Sequence, residues 1–88
     1  MTQFAAVPRP ERITAIVAGL LAQRQKLNVP DPGEDLRNAG LTSLDMVKLV
    51  LSLEQEFGMI IPEQAMTPTH FRTITAIDSL IASLARAP

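Results

Sequence analysis

Apolar residues recur at helical spacing in three stretches of the chain. In the first, Ile13, Ile16, Val17, Leu20 and Leu21 fall on one side, while Arg12, Gln23 and Arg24 fall largely on the other, which predicts a helix over about residues 10–26. Pro8 and Pro10 stop any helix running through them from upstream. Pro10 suits a first helical position, where its missing N–H is no loss. In the second stretch, Leu44, Val47, Val50, Leu51 and Phe57 are the inward candidates. Thr42 is the expected N-cap, and Asp45 takes the acidic place of a capping box. Leu41 and Met46 are placed for a hydrophobic staple, and Gly58 ends the helix in a left-handed cap. In the third, Thr73 caps a helix whose Ile74, Ile77, Leu80, Ile81 and Leu84 share a face.

The segments between these stretches read differently. Residues 27–40, "LNVPDPGEDLRNAG", hold two prolines, two glycines and three acids, which predicts a long loop pinned by Val29 and Leu36. "MIIPEQ" reads as extended because of Pro62, and Thr67–Pro68 open a short helical turn over 68–71. Residues 1–9 read as a flexible lead to a single domain over 10–86. The expected fold is all-α, a small four-helix bundle of three long helices and one short.

Composition narrows the chemistry. The chain has 88 residues, enough for one small domain. Hydrophobic residues make up 47% of it, with three Phe and no Trp or Tyr, so the core is aliphatic. The absence of cysteine excludes disulfides, thiolate metal sites and cysteine nucleophiles, and one histidine, His70, cannot hold a metal alone. The start of the chain lacks the layout of a signal peptide, and no apolar run is long enough to span a membrane. The expectation is a soluble, cytoplasmic monomer without membrane insertion. Charge is uneven: residues 1–30 carry +3, residues 31–63 carry −5 and residues 64–88 carry +1. An acidic middle favours a basic protein surface as partner over nucleic acid, whose phosphates require Lys/Arg clusters.

The segment "GLTSLDMVKLVLSLEQEFG" places Ser43 directly after the expected cap. Because Thr42 fills the cap, Ser43 stands at the first helical position with its hydroxyl open to solvent. A triad of Ser43 with His70 and an Asp is set aside, since the chain has no G-x-S-x-G elbow and no glycine-rich oxyanion loop near Ser43. An unmodified helical adaptor offering an apolar groove is the competing reading, and it has no need of Ser43.

The run "GLTSLDMVKLVLSLEQEFGMIIPE" resembles the signature of acyl carrier proteins. The matching residues are Gly40, Ser43, Leu44, Asp45, Val47, Leu49, Leu53, Glu54, Glu56, Phe57, Gly58, Ile61 and Pro62. The resemblance implies a carrier and not an enzyme. It implies a 4′-phosphopantetheine arm joined to Ser43 by a phosphopantetheinyl transferase acting on coenzyme A, with acyl or aminoacyl groups held on the arm's thiol as thioesters. Such an arm brings thiol chemistry to a chain without cysteine. Implied partners are the transferase, an acyl- or aminoacyl-loading ligase and downstream synthases or transferases. Implied partner-facing residues are Thr42, Leu44, Asp45, Met46, Lys48, Glu54 and Glu56. Two departures mark the chain: Thr42 replaces the family's usual Asp before the serine, and Lys48 and Gln55 stand where acids are common. These departures imply a specialised stand-alone member, in fatty-acid, polyketide or secondary biosynthesis, or an aminoacyl or peptidyl carrier with its own ligase.

Overall fold

The structure, a computed structural model, describes residues 7–86. It is all-helical over those residues: α1 (Arg9–Ala22), α2 (Leu36–Ala39), α3 (Ser43–Phe57), a 3-10 turn (Glu63–Ala65), α4 (Pro68–Phe71) and α5 (Ile74–Arg86). The three long helices stand where the apolar spacing put them, and the short α4 where Thr67–Pro68 put it. The loop before Ser43 adds a further short helix, α2. Most of the expected N-terminal lead, residues 1–6, lies outside the described residues.

α1 closes earlier than residue 26, and the reason is local. Gln25 takes a left-handed conformation at φ 62°, and the N–H groups of Gln25 and Lys26 donate to the carbonyls of Ala22 and Leu21, both at 2.9 Å. This is the pair of bonds that satisfies the last carbonyls of a helix in a Schellman motif. The predicted span thus contains the helix and its closing turn.

The core lies where α1, α3 and α5 meet. Ile13, Val17, Leu20 and Leu21 of α1 face Leu49 and Leu53 of α3 and Ile74, Ile77, Leu80 and Ile81 of α5, with Leu36, Leu41, Ile61 and Phe71 filling the ends. Two surface contacts fix α1 on its neighbours. The guanidinium of Arg9 pairs with Asp78 of α5. Arg12 donates to the Glu56 carboxylate at 2.8 Å and lies 4.6 Å from the centroid of the Phe57 ring, so it holds the far end of α3 by charge and by cation–π contact.

Two expectations are corrected. Val29 is 59% exposed and pins nothing, whereas its neighbour Pro30 is buried. Successive residues of an extended segment point to opposite sides, so an inward Pro30 turns Val29 out. Leu36 does serve as an anchor, fully buried, and its N–H donates to the Arg72 carbonyl at 2.8 Å. With the Thr75 N–H donating to the Pro32 carbonyl at 3.0 Å, this stitches the long loop to the start of α5.

The second correction concerns the face of α3. Of the residues expected inward, Val50 and Phe57 are partly buried, but Leu44, Val47 and Leu51 are exposed, at 61%, 56% and 60%. The inward seam is Asp45, Leu49 and Leu53, spaced at four residues. A charged residue holds an inward position, so a reading by apolar spacing alone turns the helix too far.

Candidate functional site

Ser43 owes its position to the residue on each side. Gly40 ends α2 with φ 125°, a conformation open to glycine, and the chain turns there toward α3. Leu41 is buried, and Thr42 is extended at φ −96° and ψ 175°, as an N-cap is. The Thr42 hydroxyl accepts the Asp45 N–H at 3.2 Å, and the Asp45 carboxylate accepts the Thr42 N–H at 3.0 Å. This is the reciprocal capping box. Ser43, the first residue of the helix proper, is exposed, and its hydroxyl takes no part in that network.

The network reaches beyond the cap. Arg24, just past α1, pairs through Nε with the Asp45 carboxylate and donates through Nη2 to the Thr42 hydroxyl at 3.2 Å. Thr42 Oγ1 itself donates to Asp45 Oδ2 at 3.1 Å. Asp45 is only 2% exposed, and a carboxylate withdrawn from water in this way requires such partners. The Arg24 hydrogen bond, followed by that of the Thr42 N–H, lowers its pKa to about 2. The start of α3 is therefore tied to the end of α1 by one charged side chain on each.

A groove of about 520 Å³ passes Ser43. One side is a single stripe of α3: Ser43, Met46, Val47, Val50, Leu51 and Glu54, residues three or four apart and hence stacked on one face. The facing side comes from Met66, Thr67, Pro68 and Phe71, with Asp35, Arg37 and Arg72. Arg37 belongs to α2, which ends four residues before Ser43, and Arg72 stands beside α2 through the bond of its carbonyl to the Leu36 N–H. The groove is mostly apolar, with Arg37 and Arg72 lining it on the α2 side.

These features fit a phosphopantetheine arm. An exposed hydroxyl at a helix N-terminus is a favourable point for an added phosphodiester, because the free N–H groups and the helix dipole favour negative charge. Arg37 and Arg72 would complement that charge, and the apolar groove suits the body of the arm.

The other residues proposed as partner-facing divide into two groups. Leu44 and Lys48 are exposed beside Ser43, and Met46 is partly buried in the groove. Thr42, Asp45, Glu54 and Glu56 each bond within the chain: Thr42 and Asp45 with each other and Arg24, Glu54 through one oxygen with the Ile61 N–H at 2.8 Å, and Glu56 at the surface with Arg12. Sequence reading missed Arg24, Arg37 and Arg72. Arg24 and Arg72 lie far along the chain from what they face, and Arg37, though near Ser43 in sequence, is brought to the groove by the short helix α2 in a segment read as loop, so no spacing rule pointed to them. His70 lies on the short α4 and is absent from the groove lining. Among the described residues no cluster of His, Cys, Asp or Glu could hold a metal ion, and no helix is long and apolar enough to cross a membrane.

Comparison with known proteins agrees with this geometry. Residues 11–81 match the protein family described as "Phosphopantetheine attachment site". Aminoacyl carrier protein 1 of Bradyrhizobium diazoefficiens is 36% identical over 70 residues, which cover 80% of this chain and 78% of that protein. Aminoacyl carrier protein 2 of the same organism is 33% identical over 76 residues, covering 86% and 85%. Among solved structures, the fold is similar to a chain of Bradyrhizobium japonicum glycine:[carrier protein] ligase complexed with glycylated carrier protein, with a TM-score of 0.71 at 32% identity over 82% of this chain and 96% of that one. A second complex, with the cognate carrier protein and an analogue of glycyl adenylate, gives a TM-score of 0.73 at 31% identity, over 85% and 96%. With the serine at the helix mouth, the groove beside it and a family match across most of its length, the chain belongs to the phosphopantetheine-bearing carrier proteins.

Proposed function

We propose that Ser43 is the attachment point of the 4′-phosphopantetheine arm and that the chain is an aminoacyl carrier rather than an enzyme. The observation that carries this is Ser43 itself, exposed at the capped start of α3 and lining a groove with two arginines. No carboxylate or histidine of the described residues bonds its hydroxyl, so activation falls to a separate transferase with its Mg²⁺. In that reaction Ser43 Oγ bonds to the pantetheine-side phosphorus of coenzyme A. The phosphoanhydride bond breaks, adenosine bisphosphate leaves with the electron pair, and the hydroxyl proton passes to the transferase. The arm, when attached, supplies the thiol that holds the cargo as a thioester.

Aminoacyl cargo is favoured by the two relatives named as aminoacyl carriers and by the two ligase complexes of similar fold. The loading partner is then an amino-acid ligase of the same kind. Its docking surface on this chain is Leu44, Val47, Lys48 and Leu51, a mostly apolar patch around Ser43. The acids of α3 do not dominate that patch, because Asp45 is buried and Glu56 is paired with Arg12. Dependence on coenzyme A and a ligase places the protein in the cytoplasm.

Intact mass spectrometry tests the attachment. Purified chain is incubated with coenzyme A, Mg²⁺ and a broad-specificity phosphopantetheinyl transferase. Wild type gains one phosphopantetheine and Ser43→Ala gains none. Equal gain in both, or none in folded wild type, overturns the reading.

A further inference from the structure

We infer that Glu54 is a specificity residue that receives the α-ammonium group of an aminoacyl cargo when the loaded arm lies in the groove. The inference rests on attachment at Ser43.

The geometry of α3 carries it. Glu54 follows Ser43 by eleven residues, which at 3.6 residues per turn is about three turns. The two side chains therefore lie within about 20° of each other around the helix and about 16 Å apart along it. Between them on the same stripe are Met46, Val47, Val50 and Leu51, the apolar side of the groove. A phosphopantetheine arm runs about 14 bonds from the serine oxygen to its sulfur. At the roughly 1.2 Å per bond of an extended backbone it spans about 17 Å. The stripe from Ser43 to Glu54 and the arm are thus matched in length, and the thioester ends beside Glu54.

The charges of the groove point the same way. Four charged residues line it: Asp35, Arg37, Glu54 and Arg72. Arg37 and Arg72 line the α2 side. Asp35 is engaged as the cap of α2, where its Oδ1 accepts the N–H groups of Arg37 and Asn38 at 2.9 and 3.3 Å. Glu54 is the carboxylate on the α3 stripe, about three turns from Ser43, whereas Asp35 stands at the start of α2 with the arginines. Its Oε2 accepts the Ile61 N–H at 2.8 Å, which fixes the side chain in place, while Oε1 has no hydrogen-bond partner among the described residues. A fixed carboxylate with one free oxygen at the end of an apolar groove suits an ammonium group. It offers nothing to a plain acyl chain, for which it is a polar obstacle.

The test uses two cargoes that differ only at this point. Glycyl and propionyl groups have the same shape, with an ammonium in one where the other has a methyl. Each is installed on the full chain by the transferase from glycyl- or propionyl-coenzyme A, and loading is verified by mass. The first readout is the backbone amide spectrum. Glycyl loading shifts the Glu54 and Ile61 amides, propionyl loading leaves them at their unloaded positions, and Glu54→Gln removes the glycyl response. Gln keeps an acceptor for the Ile61 N–H, so the fold is preserved. The second readout is thioester cleavage by hydroxylamine: Glu54→Gln speeds loss of glycyl by about two- to fivefold, the range of a partly exposed ion pair, and leaves propionyl unchanged. Equal responses to the two cargoes, or no response of either, overturn the role of Glu54 while attachment stands. Absence of any mass gain at Ser43 overturns the attachment reading and this inference with it.

Discussion

Replacing Thr42 with Val tests whether the capping box holds the start of α3. The two side chains share their shape and branching, so the change removes a hydroxyl and little else. That hydroxyl accepts the Asp45 N–H at 3.2 Å and Arg24 Nη2 at 3.2 Å, and donates to Asp45 Oδ2 at 3.1 Å. Loss of an N-cap usually costs about 1 kcal/mol and reaches about 2 kcal/mol in the strongest cases. The upper end, about 2 kcal/mol, is expected here because the same oxygen also serves the Arg24–Asp45 pair. A domain of this size has a total stability of roughly 4–13 kcal/mol, so the loss is substantial. It corresponds to a melting temperature lower by roughly 8–16 °C. The assay is urea unfolding followed by far-UV circular dichroism, with thermal melts alongside. Thr42→Ser, which keeps the hydroxyl, is the control and stays within about 0.5 kcal/mol of wild type. A Thr42→Val protein within about 0.5 kcal/mol of wild type would refute the assignment. The cap would then be ornamental, and the position of Ser43 would have to be set by something else.

Three further outcomes are expected. The Asp45 carboxyl titrates at about 2 in the folded chain against an ordinary 3.8, so its ionised form favours folding. That contribution is complete above about pH 4 and is lost as pH falls toward 2. Urea midpoints down an acid series should therefore fall more steeply for wild type than for Asp45→Asn; equal slopes would show that Asp45 is not coupled to folding. Leu53→Ala should destabilise by about 2–5 kcal/mol while Leu51→Ala stays within about 0.5 kcal/mol in the same denaturation assay, and the reverse order would mean that α3 is turned the other way. Gln25→Gly should raise the melting midpoint, by about 0.5–1 kcal/mol in stability, since glycine relieves the left-handed strain at φ 62° but is more mobile when unfolded.

Both ends of α3 and the start of α5 were legible in the sequence because capping is local, while the end of α1, closed by a left-handed Gln25, was not. Thr42, Asp45, Gly58 and Thr73 act within a few residues of themselves, and the structure bears each of them out: Gly58 is left-handed at φ 61°, and Thr73 Oγ1 accepts the Ala76 N–H at 3.0 Å. The inward stripes of α1 and α5 were legible for a similar reason, since their buried residues are all apolar. The rotation of α3 was not legible. It depends on Arg24, 21 residues before Asp45, which makes an inward carboxylate tolerable. The groove depends on contacts of the same range. Its α3 side is a readable stripe, but Arg37, Arg72 and Phe71 reach it only through the Leu36–Arg72 bond and the packing of α4. Ser43 itself could be singled out because the cap beside it was already filled.

The buried Asp45 and the exposed Ser43 are two consequences of one rotation. Residues on an α-helix are about 100° apart, so Ser43 lies about 160° from Asp45 around the axis. Whatever draws Asp45 inward turns Ser43 out. An apolar residue at position 45 could do the same by burial, but it would leave the Thr42 N–H without its acceptor and Arg24 without its anion. The charged pair fixes rotation and cap together. The same rotation brings Leu44, Val47 and Leu51 to the surface, at a cost in exposed apolar area that folding alone does not explain. Those three residues run along α3 from Ser43, on the face proposed above as the docking surface of the loading ligase. The fold therefore withdraws a carboxylate from water and leaves three aliphatic side chains in it, and both follow from the one rotation that turns the Ser43 hydroxyl outward.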